Sequence, residues 1–276
     1  MLRWLQGSAW DQVPHLRRLW LYLVAFLVMF VLVVPSLVVI PMSFSASRYL
    51  EFPPSGYSLD WYRALFGSST WMSAIRTSLT VAALTVLVAT PAGTLAAYVI
   101  ILARPRAATL MQGALLGPIL VPIIMIGVGL FYVYARMGLL NSVTGLVLAH
   151  SMLALPLVMV TVLAGFRTCD MNQEMVARSL GASRPVAFLT VTVPQIKRSI
   201  LTAMLLSFLV SLDEVIIALF ISGGDRSTIT RLMFNSLRDE IDPVIAAIST
   251  LLILISIISV LIIHLLSTAR SAREKT

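Results

Sequence analysis

Six apolar runs, at about 20–42, 77–103, 110–134, 142–164, 199–221 and 244–266, make up most of this chain. Each is long enough for the roughly 20 helical residues that cross a hydrocarbon core. Hydrocarbon offers the backbone no hydrogen-bond partner, so a span must satisfy its own N–H and C=O groups, as a helix does. The expected fold is an all-α integral membrane protein with six transmembrane helices in a single domain over 1–276. A soluble domain is excluded, because 59% of the residues are hydrophobic and only 12% charged, against about 25% charged in globular chains. The first run follows Arg17 and Arg18 and precedes Ser43, Ser45 and Ala46, the flanks of a secretory signal. Its length exceeds the roughly 7 to 15 residues of a signal's apolar region, so it is expected to stay as an anchor.

The net charge of +8 does not point to nucleic acid, because the basic residues sit in short loops rather than along one soluble face. They set topology instead. With the N-terminus inside, segments 1–19, 102–109, 165–198 and 267–276 hold three, two, five and three Lys or Arg, which is 13 of the 20. The outer segments hold the other 7, offset by Glu51, Asp60, Asp225, Asp239, Glu240 and Asp242. Both termini and the loop 165–198 are therefore expected on the cytoplasmic side. In the first outer loop, residues 58–66 carry Leu59, Tyr62, Leu65 and Phe66 at helical spacing beside Trp61, which predicts a short interfacial helix.

Catalytic patterns are missing from the sequence. His15, His150 and His264 lie in three different segments with no partner at helical spacing, so they suggest no metal site. Cys169 is the only cysteine and supports no disulfide framework. No P-loop, G-x-S-x-G elbow or H-E-x-x-H occurs. The chain is therefore expected not to be an enzyme, and any nucleotide site must belong to another chain.

The polar stretch inside the loop 165–198 carries the most information. Residues 172–180 are compatible with a helix, with Met175, Val176, Ala177 and Leu180 as its apolar side and Glu174, Arg178 and Ser179 as its polar side. Gly181 allows a positive φ and a sharp exit. A second helical stretch over 185–191 starts on Pro185, whose missing N–H does no harm in a first turn. Two short helices at a fixed angle between two spans suit docking on a cytosolic partner.

These residues also resemble a known family. Ala177, Gly181, nine residues, Val191, then Val193 and Pro194 look like the cytoplasmic coupling loop of permease subunits of binding-protein-dependent ABC importers. That signature reads E-A-A, three residues, G, nine residues, I-x-L-P. Met175 stands at the glutamate position, Glu174 lies one place earlier, Val176 replaces an alanine, and Val191 and Val193 replace Ile and Leu. The stretches SLDEVIIALFISGG (211–224), RLMFNSLRDEIDPVIAAISTLL (231–252) and DWYRALF (60–66) are similar to the spermidine and putrescine permease group. The resemblance implies a type I permease architecture in a bacterial inner membrane. It also implies a heterodimer with a second permease, two ATP-binding subunits and a periplasmic solute-binding protein. ATP and magnesium belong on the partner subunits, with no cofactor in this chain. Glu174, Met175, Ala177, Arg178, Gly181, Ala182 and Pro194 are the implied ATPase-coupling residues. The implied solute is a polyamine, with an opine, an amino acid or an aminophosphonate as alternatives. A secondary transporter working without ATPase subunits, or a membrane scaffold moving no solute, are the competing classes.

Asp213 and Glu214 are the candidate substrate-pathway residues. They lie about 14 residues into the fifth run, hence roughly 21 Å along a helix. Carboxylates at that depth are costly unless hydrated or paired, so a pathway position competes with a bridge to an outer-loop arginine or to the partner permease. Neighbouring helical residues diverge by about 100°, which lets the two face different surroundings.

The topology has a direct check. Single cysteines at Ala187 and Ser236, in a Cys169→Ser background, are expected to be labelled by an impermeant thiol reagent from opposite sides of intact cells. Outside labelling at position 187 would overturn the orientation.

Overall fold

A computed structural model of the chain describes residues 19–239 and 242–273, with side chains as far as residue 262. The basic N-terminal segment, His15, Glu240, Lys275 and the side chains of His264, Arg270 and Arg273 therefore lie outside what is described. The helices in chain order are α1 (Leu19–Met42), α2 (Asp60–Gly67), α3 (Ser69–Leu102), α4 (Pro105–Leu120), α5 (Ile123–Met137), α6 (Val143–Phe166) and α7 (Met171–Ser179). They continue as α8 (Arg184–Ala187), α9 (Val193–Gln195), α10 (Lys197–Asp213), α11 (Ile216–Ile221), α12 (Ile229–Asp239) and α13 (Val244–Arg273). A π-helical turn, Phe188–Thr192, joins α8 to α9.

Among the described residues α1, α3, α6 and α13 are each long and apolar enough to cross a membrane. The total rises to six if each of two bent pairs is one span. Those pairs correct two of the expected straight runs. The third run is α4 and α5, which meet at 93°. Val121 is extended at φ −90°, ψ 132°, as a residue before proline prefers, and Pro122 opens α5 with no N–H to offer α4. The stretch Arg184–Gln195 meets α10 at 80°. The fifth run also stops at Asp213 and resumes as the six-residue α11, and α3 begins at Ser69 rather than near 77.

Two compact units divide the chain, with boundaries at Ala64/Leu65 and Leu251/Leu252 and at the undescribed 240–241. In the smaller unit, Tyr62 of α2 shares a 2.8 Å hydrogen bond with Ser43 Oγ, and Trp61 Nε1 donates to the Ser45 carbonyl at 2.8 Å. The predicted outer helix is thereby tied to the end of α1. No residue of α1 is buried, and a helix apolar around its whole circumference needs lipid or another apolar surface about it. Asp242 accepts the Val244 N–H at 2.9 Å and caps the start of α13.

In the larger unit α3, α6 and α10 form the centre. Ala89, Ala97, Ala154, Val158, Met159, Val162 and Ala203 make one buried cluster; Val81, Leu146, Ala149, Ile217, Ala218 and Ile221 make another. Small residues set the helix spacing, as they must where lipid supplies no hydrophobic drive between helices. A Cβ on Gly93 would run into Val158, one on Gly165 into Ser199, and one on Gly127 would stand 2.5 Å from the Phe220 ring. Two distinct ends result. At one, the C-termini of α3 and α6 meet residues 167–196. At the other, Ser73 Oγ of α3 donates to the Asp225 carbonyl at 3.1 Å and Ser78 Oγ accepts the Ile229 N–H at 2.8 Å.

The Gly127 contact is expected to be a packing limit. Gly127→Val should destabilise the purified protein by about 1–3 kcal/mol, read as a lowered midpoint of thermal unfolding, and Phe220→Ala should recover part of that loss in the double variant. A Gly127→Val midpoint equal to wild type would show that the ring moves aside at no cost.

Candidate functional site

The loop between α6 and α10 is built from caps and turns that its sequence supplies. Asp170 accepts the Asn172 N–H at 3.0 Å and starts α7. Gly181, at φ +97°, ends it. The Gly181 N–H bonds to the Arg178 carbonyl at 3.0 Å and the Ala182 N–H to the Ala177 carbonyl at 3.1 Å. This pair of bonds is a Schellman closure, which uses the left-handed conformation that glycine adopts most cheaply. Gln195 Oε1 accepts the Asp170 N–H at 3.2 Å and joins the far side of the loop to its start. Cys169 lies beside that bond, 3.4 Å from the same oxygen. Burial, then the Asp170 and Glu174 carboxylates, push its thiol above the ordinary range.

Arg178 and Ser179 of the expected polar side of α7 are exposed, but Glu174 and the apolar residues depart from a surface helix. Glu174, expected on a solvated side, is 3% exposed. Met175, Val176 and Leu180, expected as the apolar packing side, are 54%, 58% and 84% exposed. Glu174 turns inward because the bundle offers it donors. Tyr98 at the end of α3 donates its hydroxyl to Oε1 at 2.5 Å, and Thr192 of the π turn donates to Oε2 at 2.5 Å. Arg184 donates through Nε to the Tyr98 oxygen at 3.4 Å and lies over the same ring. The Tyr98 ring packs on Phe166 and Phe188 with centroids 6.0 and 4.5 Å apart. One carboxylate therefore links α3, α7 and the π turn, while Val186 and Leu189 join Met175, Val176 and Leu180 as exposed apolar residues. Arg178 and Pro194 are exposed, and Ala177 and Ala182 half-buried. The loop thus presents a greasy outer surface on a rigid inner mount, the property of a docking face.

The carboxylates of the fifth run have parted. Asp213 ends α10, is exposed, and lines a hollow of about 310 Å³ with Leu209, Val210, Leu212, Leu252 and Ser256. Glu214 is buried, and its Oε1 accepts the Ile217 N–H at 2.7 Å. The helix break between them, rather than a 100° turn of one helix, separates their surroundings.

Sequence reasoning set His150 aside, yet it is fully buried and binds Ser211 Oγ through Nδ1 at 2.8 Å; Ser211 in turn reaches Thr85 Oγ1 at 3.5 Å. This polar seam joins α6, α10 and α3, where such bonds hold membrane helices in register. The signal was a histidine inside an apolar run. Among the described residues no three His, Cys, Asp or Glu side chains gather closely enough to hold a metal ion.

Residues 89–271, which contain this loop and both carboxylates, match the family model for binding-protein-dependent transport system inner membrane components. The chain belongs to that family. As a permease of such importers it is 28% identical over 271 residues to the putrescine transport system permease protein PotI of Escherichia coli K12, covering 95% of this chain and 96% of the relative. It is likewise 28% identical to the spermidine/putrescine transport system permease protein PotC of Haemophilus influenzae, covering 88% and 94%. The fold matches a chain of a bacterial ABC transporter involved in import of the acidic polysaccharide alginate, with a TM-score of 0.69 at 16% identity over 93% and 96% of the two chains. The all-helical type I permease fold is therefore shared with a transporter of an anionic solute, so the fold alone does not choose the charge carried.

Replacing Glu174 by Ala leaves the Tyr98 and Thr192 hydroxyls without their acceptor at about 1–3 kcal/mol each. Gly181→Val forces a β-branched residue toward positive φ at about 1–3 kcal/mol. Both variants are expected to insert normally but to lose solute uptake by roughly ten-fold or more, measured per inserted chain. Wild-type uptake in both would deny the loop any part in transport.

Proposed function

We propose that this permease carries a polyamine of the putrescine and spermidine class, as one half of a permease pair energised by two ATP-binding subunits. The observation that supports the coupling half of this reading is the loop over 165–198. Its apolar residues face outward while Glu174 fastens its back to α3. A push on Met175, Val176, Leu180 or Leu189 by a docked ATP-binding subunit would reach Tyr98 through one buried carboxylate. ATP binding and hydrolysis, with magnesium, occur on those partner subunits, and closure of the pair switches the spans between inward-open and outward-open states. In this reading the loop and both termini face the cytoplasm, and a periplasmic binding protein delivers solute at the end carrying residues 224–230.

The polyamine half rests on the two relatives named for such solutes over nearly their whole length, and on Asp213, a carboxylate left exposed beside a hollow in the fifth run. A cation leaving water at that depth gains from a free carboxylate.

The test is co-expression with the second permease, the ATP-binding subunits and the binding protein, reconstitution, and uptake of labelled putrescine. Asp213→Asn is expected to cut uptake roughly ten-fold or more per assembled complex, equivalent to about 1.4 kcal/mol, with solute capture by the binding protein unchanged. Equal uptake by wild type and variant would remove Asp213 from the pathway. Assembly and uptake without ATP-binding subunits would replace the importer mechanism with a secondary one.

A further inference from the structure

The half-helix α11 holds six residues, Ile216–Ile221. Isolated helices below about 12 residues are marginal even in water, and α11 interrupts an apolar run, where unpaired backbone groups cost most. Each of its ends meets one charged side chain. At its start the buried Glu214 carboxylate accepts the Ile217 N–H at 2.7 Å. At its finish Arg231 of α12 donates through Nη1 to the Ala218 carbonyl at 3.3 Å and to Ser222 Oγ at 3.4 Å. The residue before it, Thr230, donates its hydroxyl to the Glu214 carbonyl at 2.8 Å. Two consecutive side chains of α12 therefore hold both ends of α11.

The charges have the signs a helix dipole asks for, negative at the N-terminus and positive at the C-terminus. Among the described residues neither Glu214 nor Arg231 has an opposite charge within ion-pair distance, so the α11 dipole stands between them as the shared counter-charge. The other contacts of α11 fix it sideways: Phe220 covers Gly127 of α5, and the Ile221 carbonyl accepts the Asn141 N–H at 2.8 Å. Asp213, one residue before Glu214, makes none of these hydrogen bonds.

We infer that Glu214 and Arg231 are positioning residues that clamp α11 from its two ends, so that α11 moves with α12 as one piece. Glu214 is then spent on the helix, and Asp213 is the carboxylate of this run left free for solute. The inference rests on the reading of the chain as an ATP-driven permease and divides the labour between two carboxylates that the sequence presents as equals.

The test uses the complete complex in proteoliposomes with Glu214→Gln, Arg231→Met, the double variant and Arg231→Lys. Glutamine keeps an acceptor for the Ile217 N–H and removes only the charge. Two quantities are read per assembled complex: ATP hydrolysis stimulated by the putrescine-loaded binding protein, and putrescine uptake split into maximal rate and apparent KM. Glu214→Gln and Arg231→Met are each expected to lower both maximal rates about five-fold, with KM within about two-fold of wild type. The double variant should be little worse than the poorer single one, because the clamp fails once either end is released. Arg231→Lys, which keeps the charge, should stay within about two-fold of wild type. A raised KM in Glu214→Gln would make Glu214 a solute ligand and overturn the clamp. Wild-type rates per complex in both single variants, even with less complex recovered, would overturn it as well, leaving a role in assembly alone. A wild-type complex that hydrolyses ATP but takes up no putrescine would overturn the polyamine reading only, and the hydrolysis comparison would still judge the clamp.

Discussion

A backbone N–H or C=O without a partner costs several kcal/mol in hydrocarbon, and this chain breaks its helices repeatedly. At three of these breaks a residue answers, or removes, the freed groups. Pro122 has no N–H to satisfy where α4 turns into α5. Glu214 and Arg231 answer the ends of α11. Asp170 and the Schellman bonds at Gly181 close the ends of α7. Asp170, Gly181 and Arg231 lie in polar segments between the apolar runs; Glu214 is drawn into the bundle by the backbone it serves.

The same economy explains the loop over 165–198. A carboxylate leaves water only where donors replace its hydration, and Tyr98 and Thr192 are placed to do that for Glu174. Once Glu174 points inward, the geometry of α7 turns Met175 and Val176 outward. The exposed apolar surface follows from the buried charge. Tyr98 stands at the end of a helix that runs unbroken from Ser69 to Leu102, and the far end of that helix is bonded to Asp225 and Ile229. A rigid helix tied at both ends is able to report a displacement at one end to the other.

Much of the architecture was legible because lipid imposes simple rules. The runs near 20–42 and 142–164 became α1 and α6 within about two residues of their expected bounds, and the short helix expected near Trp61 is α2. The glycine exit at position 181 was legible too, since few other residues tolerate φ +97°. The orientation of α7 was not. Amphipathic reasoning assumes that apolar side chains face the protein, and it fails where the neighbours are a tyrosine and a threonine with hydroxyls to donate. His150 was passed over for a related reason: its partner Ser211 lies 61 residues away in sequence, and spacing rules see only local pairs.

By itself the sequence determined the number of apolar runs, the all-helical class, the glycine exit in the polar loop and the resemblance to importer permeases. These depend on composition, on periodicity and on local φ and ψ, all carried by neighbouring residues. Tertiary structure decided which runs are bent, which of Asp213 and Glu214 is buried, and which way Glu174 points. A span bends, and a carboxylate gives up water, only when a donor or counter-dipole from another helix is already within hydrogen-bond reach, and that distance is fixed by packing rather than by spacing along the chain.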